Sequence, residues 1–169
     1  MELPEPVALT PREVIEQGKS PVYYRLSPDI VDVLSRSSLG AHTRWSGERD
    51  TSFTLDLLTG AAIRLGRDSA MGIWIEGGYS YVYSREHLAV LGVGLARRRR
   101  GVFAPTLALV PHVVAGRVDG ESCLGARTSL IAGLSGYAFE LAHQVVFVGS
   151  QPVHEMHLAL TFPFTSGGE

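Results

Sequence analysis

The chain has 169 residues, which is enough for one domain and too few for two of ordinary size. Its formal net charge of −2 and its 19% of charged residues exclude a strongly basic nucleic-acid binder and a highly charged disordered chain. The single cysteine, Cys123, excludes an internal disulfide and a cysteine-rich metal site. We expect it to be a small buried residue.

No stretch of the sequence reaches the 18 or more apolar residues of a membrane-spanning helix. The nearest, residues 101–116, is uncharged but contains Pro105, Pro111 and His112. The residues ELPEP after Met1 have neither the basic start nor the apolar run of a secretory signal. We expect either a cytosolic protein or a chain from which a signal was removed, and a membrane role would require strands.

Residues 1–36 are predicted to form an N-terminal extension that leans on the main body, because five of the nine prolines lie there. Thr10 and Pro11 are typical of the N-cap and first position of a helix, with Gly18 at its end. A second short helix is predicted for residues 29–34, after Pro28. The extension thus contains one or two short helices.

Residues 37–164 are predicted to form eight strands separated by clusters of turn residues, and residues 165–169 a C-terminal tail. The connections are too short for crossover helices, so neighbouring strands should be antiparallel in an up-and-down order. The predicted segments are 38–46, 53–65, 70–83, 87–97, 102–115, 124–133, 137–148 and 153–164.

Side chains alternate along these segments between large apolar residues and small or polar ones. In the last segment Leu158, Leu160 and Phe162 alternate with Ala159 and Thr161. A soluble barrel that binds a small apolar ligand would place the large residues inside and charged residues outside. An outer-membrane barrel has the opposite arrangement. Because the second face is mostly Gly, Ala, Ser and Thr, we favour the membrane barrel and keep the soluble barrel as the alternative.

If the large apolar residues face lipid, ionisable side chains of both signs point into the narrow lumen. They should pair there, because unpaired buried charge is costly. An ion or proton path through the barrel is the functional alternative. The predicted lumen charge network consists of Arg44, Asp56, Arg64, Glu76, Arg127, Glu140, Glu155, His42 and His157.

No phosphate-binding, dinucleotide or zinc motif is present, and we predict neither enzyme activity nor a cofactor. A lipid-processing hydrolase could use Ser129, His157 and Glu140, but all three would face the lumen, away from lipid. His154 and His157 should lie on opposite faces of their strand, so no metal site is predicted.

A run of basic residues lies between the fourth and fifth predicted strands. Such a run could contact lipid phosphate or the carboxylates of a partner, or form a solvated turn. It consists of Arg97, Arg98, Arg99 and Arg100.

The closing segment, VHEMHLALTFPF, resembles the C-terminal assembly signal of the small eight-stranded outer-membrane barrels of Gram-negative bacteria, the OmpA and OmpX types. The resemblance covers residues 38–164. The sequence departs from the pattern by continuing for five residues after Phe164, and by placing Pro105 and Pro111 in the fifth strand.

The resemblance implies an all-β, eight-stranded antiparallel transmembrane barrel in the bacterial outer membrane. A lipid-facing surface, a filled lumen, short loops and an N-terminal arm together favour a non-enzymatic structural role as an envelope anchor or a subunit of an envelope assembly. The expected partners are membrane lipid and, through the N-terminal extension, another envelope protein, with no nucleic acid.

Overall fold

The computed structural model describes residues 31–45, 50–65, 69–98, 105–134 and 136–166. These residues form a closed barrel of eight antiparallel strands, in which each strand pairs with its neighbours in sequence and the first pairs with the last. The predicted all-β, up-and-down fold is therefore confirmed. The strands are β1 (Val31–Arg44), β2 (Asp50–Arg64), β3 (Met71–Val82), β4 (Glu86–Arg98), β5 (Pro105–Val118), β6 (Glu121–Leu134), β7 (Tyr137–Val148) and β8 (Gln151–Ser166).

The two ends of the barrel differ in their connections. At one end, which we call the turn rim, β3 joins β4, β5 joins β6 and β7 joins β8 through two or three residues. The β5–β6 connection is Asp119 (φ 50°) and Gly120 (φ 86°), the pair of positive φ values that a type I′ hairpin turn requires. At the opposite end, the terminal rim, β1 begins and β8 ends.

Large apolar side chains point outward and small or polar side chains point into the lumen. Along β8, Leu158 is 59% exposed on the outer surface and Ala159 is 3% exposed inside. The same alternation holds along β7, where Phe139 and Leu141 point outward and Glu140 is buried. The lumen is therefore the core of the molecule.

Two apolar clusters inside the lumen supplement its polar residues. One surrounds Trp74 and includes Val110 and Ile131. The other includes Leu88 and Val114. Because a barrel of eight strands has room inside only for side chains, these clusters and the polar residues together fill it.

The boundaries of the barrel differ from the predicted 37–164. β1 begins at Val31 and β8 ends at Ser166, where Val33 pairs with Ser166. The second predicted helix is wrong for residues 31–34, which pair with residues 60–63 of β2. Valine at alternate positions suits this paired strand. Residues 1–30, including the first predicted helix, lie outside the described residues.

The two prolines of β5 take positions that a strand tolerates. Pro105 is the first residue of the strand, and Pro111 is exposed on the outer surface. Pairing between β4 and β5 is interrupted at Val93 and Gly94, next to Pro111, and resumes on either side in the same register. Proline has no N–H to donate, which explains the interruption. No helix long and apolar enough to cross a membrane occurs in the part of the chain that the structure describes.

Candidate functional site: the charged lumen

A network of buried ion pairs crosses the middle of the lumen; we call it the central network. Arg36 of β1 makes two hydrogen bonds to the Glu76 carboxylate, of 2.6 and 2.9 Å, and a further one to Glu140. Arg127 of β6 donates to Asp56 at 2.5 Å and to Glu140 at 3.1 Å. Two arginines and three carboxylates from five strands are thereby joined.

Other side chains add further polar contacts to the same carboxylates. Trp74 donates its indole N–H to Glu76 at 2.8 Å, and His112 Nε2 lies 2.7 Å from the other oxygen of Glu76. Ser38 donates to Glu140 at 3.0 Å. Buried charges with this many partners are stabilised in place, whereas removing one partner would leave an uncompensated charge.

A second group of ionisable residues lies nearer the turn rim; we call it the rim network. Arg44 donates to Glu155 at 3.0 Å and to Glu86 at 3.1 Å. Gln144 donates to the same two carboxylates, at 2.6 Å to Glu155 and 3.3 Å to Glu86. His42 approaches both glutamates, at 3.5 and 3.6 Å.

Partly exposed ion pairs at the turn rim cover the rim network. Asp119 accepts from Arg44 at 2.7 Å and from Arg85 at 3.3 Å, and Arg85 also pairs with Asp50. Partial burial raises the pKa of Asp119, but the hydrogen bond and charge of Arg44, and then those of Arg85, outweigh it and hold the pKa below its ordinary value. The carboxylate is therefore charged and links two turns across the mouth of the barrel.

Eight of the nine residues of the predicted lumen network are buried inside the barrel. The ninth, Arg64, is half-buried at the end of β2. The eight are Arg44, Asp56, Glu76, Arg127, Glu140, Glu155, His42 and His157.

Further buried members of these networks lie outside the predicted set. Arg36 falls in the predicted N-terminal extension, and Glu86 in the predicted turn between the third and fourth strands. His112 follows Pro111 in the predicted fifth strand, and Gln144 carries no charge. The signal for Arg36 and His112 was the period of two, because each occupies an inward position of its strand.

The three residues of the hydrolase hypothesis do not assemble into a catalytic group. Ser129, Glu140 and His157 are all fully buried in the lumen. Neither ring nitrogen of His157 forms a hydrogen bond with any described residue, so His157 bonds neither Ser129 nor Glu140. A nucleophile and its base must be within hydrogen-bond reach, a condition that Ser129 and His157 do not meet.

Within the described part of the chain, the other residues that the sequence singles out are placed as follows. His154 points outward, stacked on His143 with ring centroids 5.7 Å apart, and so lies on the opposite face from His157. Arg97 is exposed on the outer surface near the terminal rim. Arg98 ends β4, and Arg99 and Arg100 lie outside the described residues. Cys123 is buried.

The closed eight-stranded barrel is the fold of the small outer-membrane barrels that the sequence resembles. No protein-family model and no curated protein sequence matches the chain. Among solved structures it is similar to Neisserial surface protein A (NspA), with 11% sequence identity, 81% of this chain and 96% of that chain covered, and a TM-score of 0.44.

It is also similar to Ail, the attachment invasion locus protein of Yersinia pestis, in two solved structures. In complex with the heparin analogue sucrose octasulfate, Ail shows 11% identity, coverage of 79% of this chain and 99% of that chain, and a TM-score of 0.40. The other structure of Ail shows 8% identity, 79% and 97% coverage, and a TM-score of 0.34.

Proposed function

We propose that this chain spans the bacterial outer membrane as a non-enzymatic barrel with a filled lumen. It serves as an envelope anchor or as a subunit of an envelope assembly. The observation that carries the proposal is the distribution of side chains, which is the reverse of that in a soluble protein. Ion pairs lie in the core and large apolar residues lie on the surface.

The outer surface of β4 has the height of a bilayer core. Its outward residues between His87 and Arg97 are apolar and exposed, and Arg97 follows His87 by ten residues. At about 3.3 Å per residue and a strand tilt of about 40°, ten residues rise about 25 Å along the barrel axis. The apolar band of an outer-membrane barrel is about 25 Å tall. The outward residues in between are Ala89, Leu91, Val93 and Leu95.

The neighbouring strand repeats this pattern. On β5 the outward residues from Pro105 to Ala115 carry no charge, and the next outward residue, Arg117, lies near the turn rim. Apolar surface of this extent is unfavourable in water. The soluble alternative required large apolar residues inside, whereas Leu158 and Phe139 point outward.

A filled lumen favours an anchoring role over transport. Ion pairs of the central network cross the barrel, and the ion pairs of Asp119 cover the turn rim. Partners are expected at the remaining surfaces: lipid phosphate at Arg97 and the basic residues after it, and another envelope protein at the N-terminal extension.

Refolding tests the proposal. We expect the urea-unfolded chain to form folded monomer when it is diluted into detergent or lipid vesicles, and to aggregate in buffer alone. In planar bilayers the folded protein should produce no persistent, high-conductance channel. Folded monomer without detergent would contradict the membrane location, and a large stable pore would contradict the filled lumen. Phospholipid hydrolysis that is abolished by Ser129→Ala would contradict the non-enzymatic role.

A further inference from the structure

Two histidines and a glutamate converge inside the barrel at the level of the rim network. His42 of β1 and His157 of β8 are direct partners across the closing pair of strands, with ring centroids 4.7 Å apart. One nitrogen of each ring and one oxygen of Glu155 all lie within 4.8 Å of one another. All three side chains are fully buried.

The histidine rings have no well-formed hydrogen bond in the described part of the chain. All four ring nitrogens are buried, and the only polar contacts recorded for them are those of His42 Nε2 with Glu155 and Glu86, at 3.5 and 3.6 Å. Buried polar groups in proteins nearly always have a partner. Two adjacent unpartnered rings beside a carboxylate therefore point to a ligand that accepts nitrogen and oxygen donors together.

We propose that His42, His157 and Glu155 bind one divalent transition-metal ion, of which Zn²⁺ is the type, within the lumen. Ligands about 2.0–2.1 Å from a tetrahedral ion lie about 3.4 Å from each other. His42 Nε2 is already 3.5 Å from Glu155 Oε2. Two imidazoles and a carboxylate form a known zinc ligand set, and small side-chain rotations would bring the His157 ring to the same distance.

Neighbouring residues complete and orient the site. Glu86 Oε1 lies 3.6 Å from His42 Nε2 and can supply a fourth ligand. Gln144 donates to both glutamates, and Arg44 holds the oxygen of Glu155 that does not face His42. Such contacts fix the direction of ligating carboxylates.

The charge balance of the lumen also favours a dication. Among the described residues, the buried charged side chains comprise three arginines and five carboxylates, a net of two negative charges when every carboxylate is ionised and the histidines are neutral. A divalent ion would offset both, and uncompensated charge in a low-dielectric interior is costly. The arginines are Arg36, Arg44 and Arg127; the carboxylates are those of Asp56, Glu76, Glu86, Glu140 and Glu155.

A cavity of about 370 Å³ at the turn rim offers an entry route. Arg44 forms part of its wall, and the carboxylates of Asp119 and Glu121 line it. Cations would be attracted to these carboxylates, and rotation of Arg44 away from Glu155 would open the way to the histidines.

Metal titration of the refolded full-length chain tests the proposal, with Co²⁺ as the spectroscopic probe and Zn²⁺ as the competitor. Metal is added during refolding and, in parallel, to the folded protein after treatment with a chelator. The outer His143 and His154 pair is a second possible binder, so the matched control is the His143→Ala, His154→Ala variant. We expect one Co²⁺ per chain in both proteins, a four-coordinate visible spectrum, displacement by Zn²⁺, and a higher unfolding temperature with metal.

His42→Ala and His157→Ala should each weaken binding at least about tenfold, as expected when a ligand is lost. Binding that keeps its wild-type affinity in either variant, that disappears in the His143→Ala, His154→Ala control, or that is absent from the wild type would overturn the proposal. If an alanine variant fails to fold, Cu²⁺ electron paramagnetic resonance of the control protein decides. Hyperfine coupling to two imidazole nitrogens supports the site, and coupling to fewer contradicts it.

Discussion

At Leu158 and Ala159 two adjacent side chains of β8 meet opposite environments. Leu158 is exposed on the outer surface and Ala159 is packed inside the lumen. The arrangement follows from the period of two, which moves every side chain to the other face when the strand shifts by one residue.

We expect Leu158→Arg to lower the free energy of unfolding by about 2–4 kcal/mol, because an arginine near the bilayer midplane loses its hydration. Ala159→Ser should have a much smaller effect, because other polar groups of the lumen can satisfy its hydroxyl. Urea unfolding in lipid vesicles measures both. If Ala159→Ser were damaging and Leu158→Arg harmless, the strand frame would be shifted by one residue.

The sequence predicts which side chains point into the lumen, but it does not predict which of them form ion pairs with each other. The inward positions of Asp56 and Glu140 follow from alternation alone. That Arg127 bonds both of them depends on the stagger of the strands around the barrel. No local pattern encodes this stagger. The convergence of His42 and His157 likewise requires the closing pair of strands.

Closure of the barrel depends on the pairing of β1 with β8, where Gly40 lies opposite Ala159. A Cβ atom at Gly40 would lie 2.1 Å from the Leu158 carbonyl oxygen and 2.5 Å from the Ala159 Cα. Since both are backbone atoms, they cannot move aside as a flexible side chain would.

Gly40→Ala should therefore destabilise the barrel by about 1–3 kcal/mol, the usual cost of overpacking. The matched control is Gly136→Ala in the β6–β7 connection, where no described atom beyond the two adjacent residues lies within 4 Å of the added Cβ. The urea midpoint and the yield of folded monomer report on both variants. Equal midpoints for the two would show that the closing pair accepts a side chain at Gly40.

The predicted ends of the strands were less accurate than their middles. β1 begins at Val31, shortly after Pro28. The prolines of this region predict irregular structure, and they hide the strand signal given by Val31 and Val33, so the predicted start of the first strand is too late. The middle of β5 was predicted correctly despite Pro111, because that proline interrupts the pairing with β4 and leaves the pairing with β6 intact.

On the scale of the whole molecule, the barrel places its charges where a soluble protein places its apolar core. Buried arginines and carboxylates link strands across the lumen, and the outer surface carries leucine, valine and aromatic side chains. In the proposed membrane barrel, lipid rather than the protein's own interior would complete the burial of these apolar side chains.

Quenching of tryptophan fluorescence by brominated lipid tests this claim most directly. In a Trp45→Phe background the remaining indole, Trp74, is buried in the lumen and serves as the internal control. Phe162→Trp then adds a second indole on the outward face of β8. We predict that brominated phospholipid strongly quenches the added fluorescence of the folded, reconstituted protein and changes that of the Trp45→Phe parent much less. If the added tryptophan is equally bright in brominated and in ordinary lipid, this face does not contact the bilayer. That result would contradict the proposed membrane barrel.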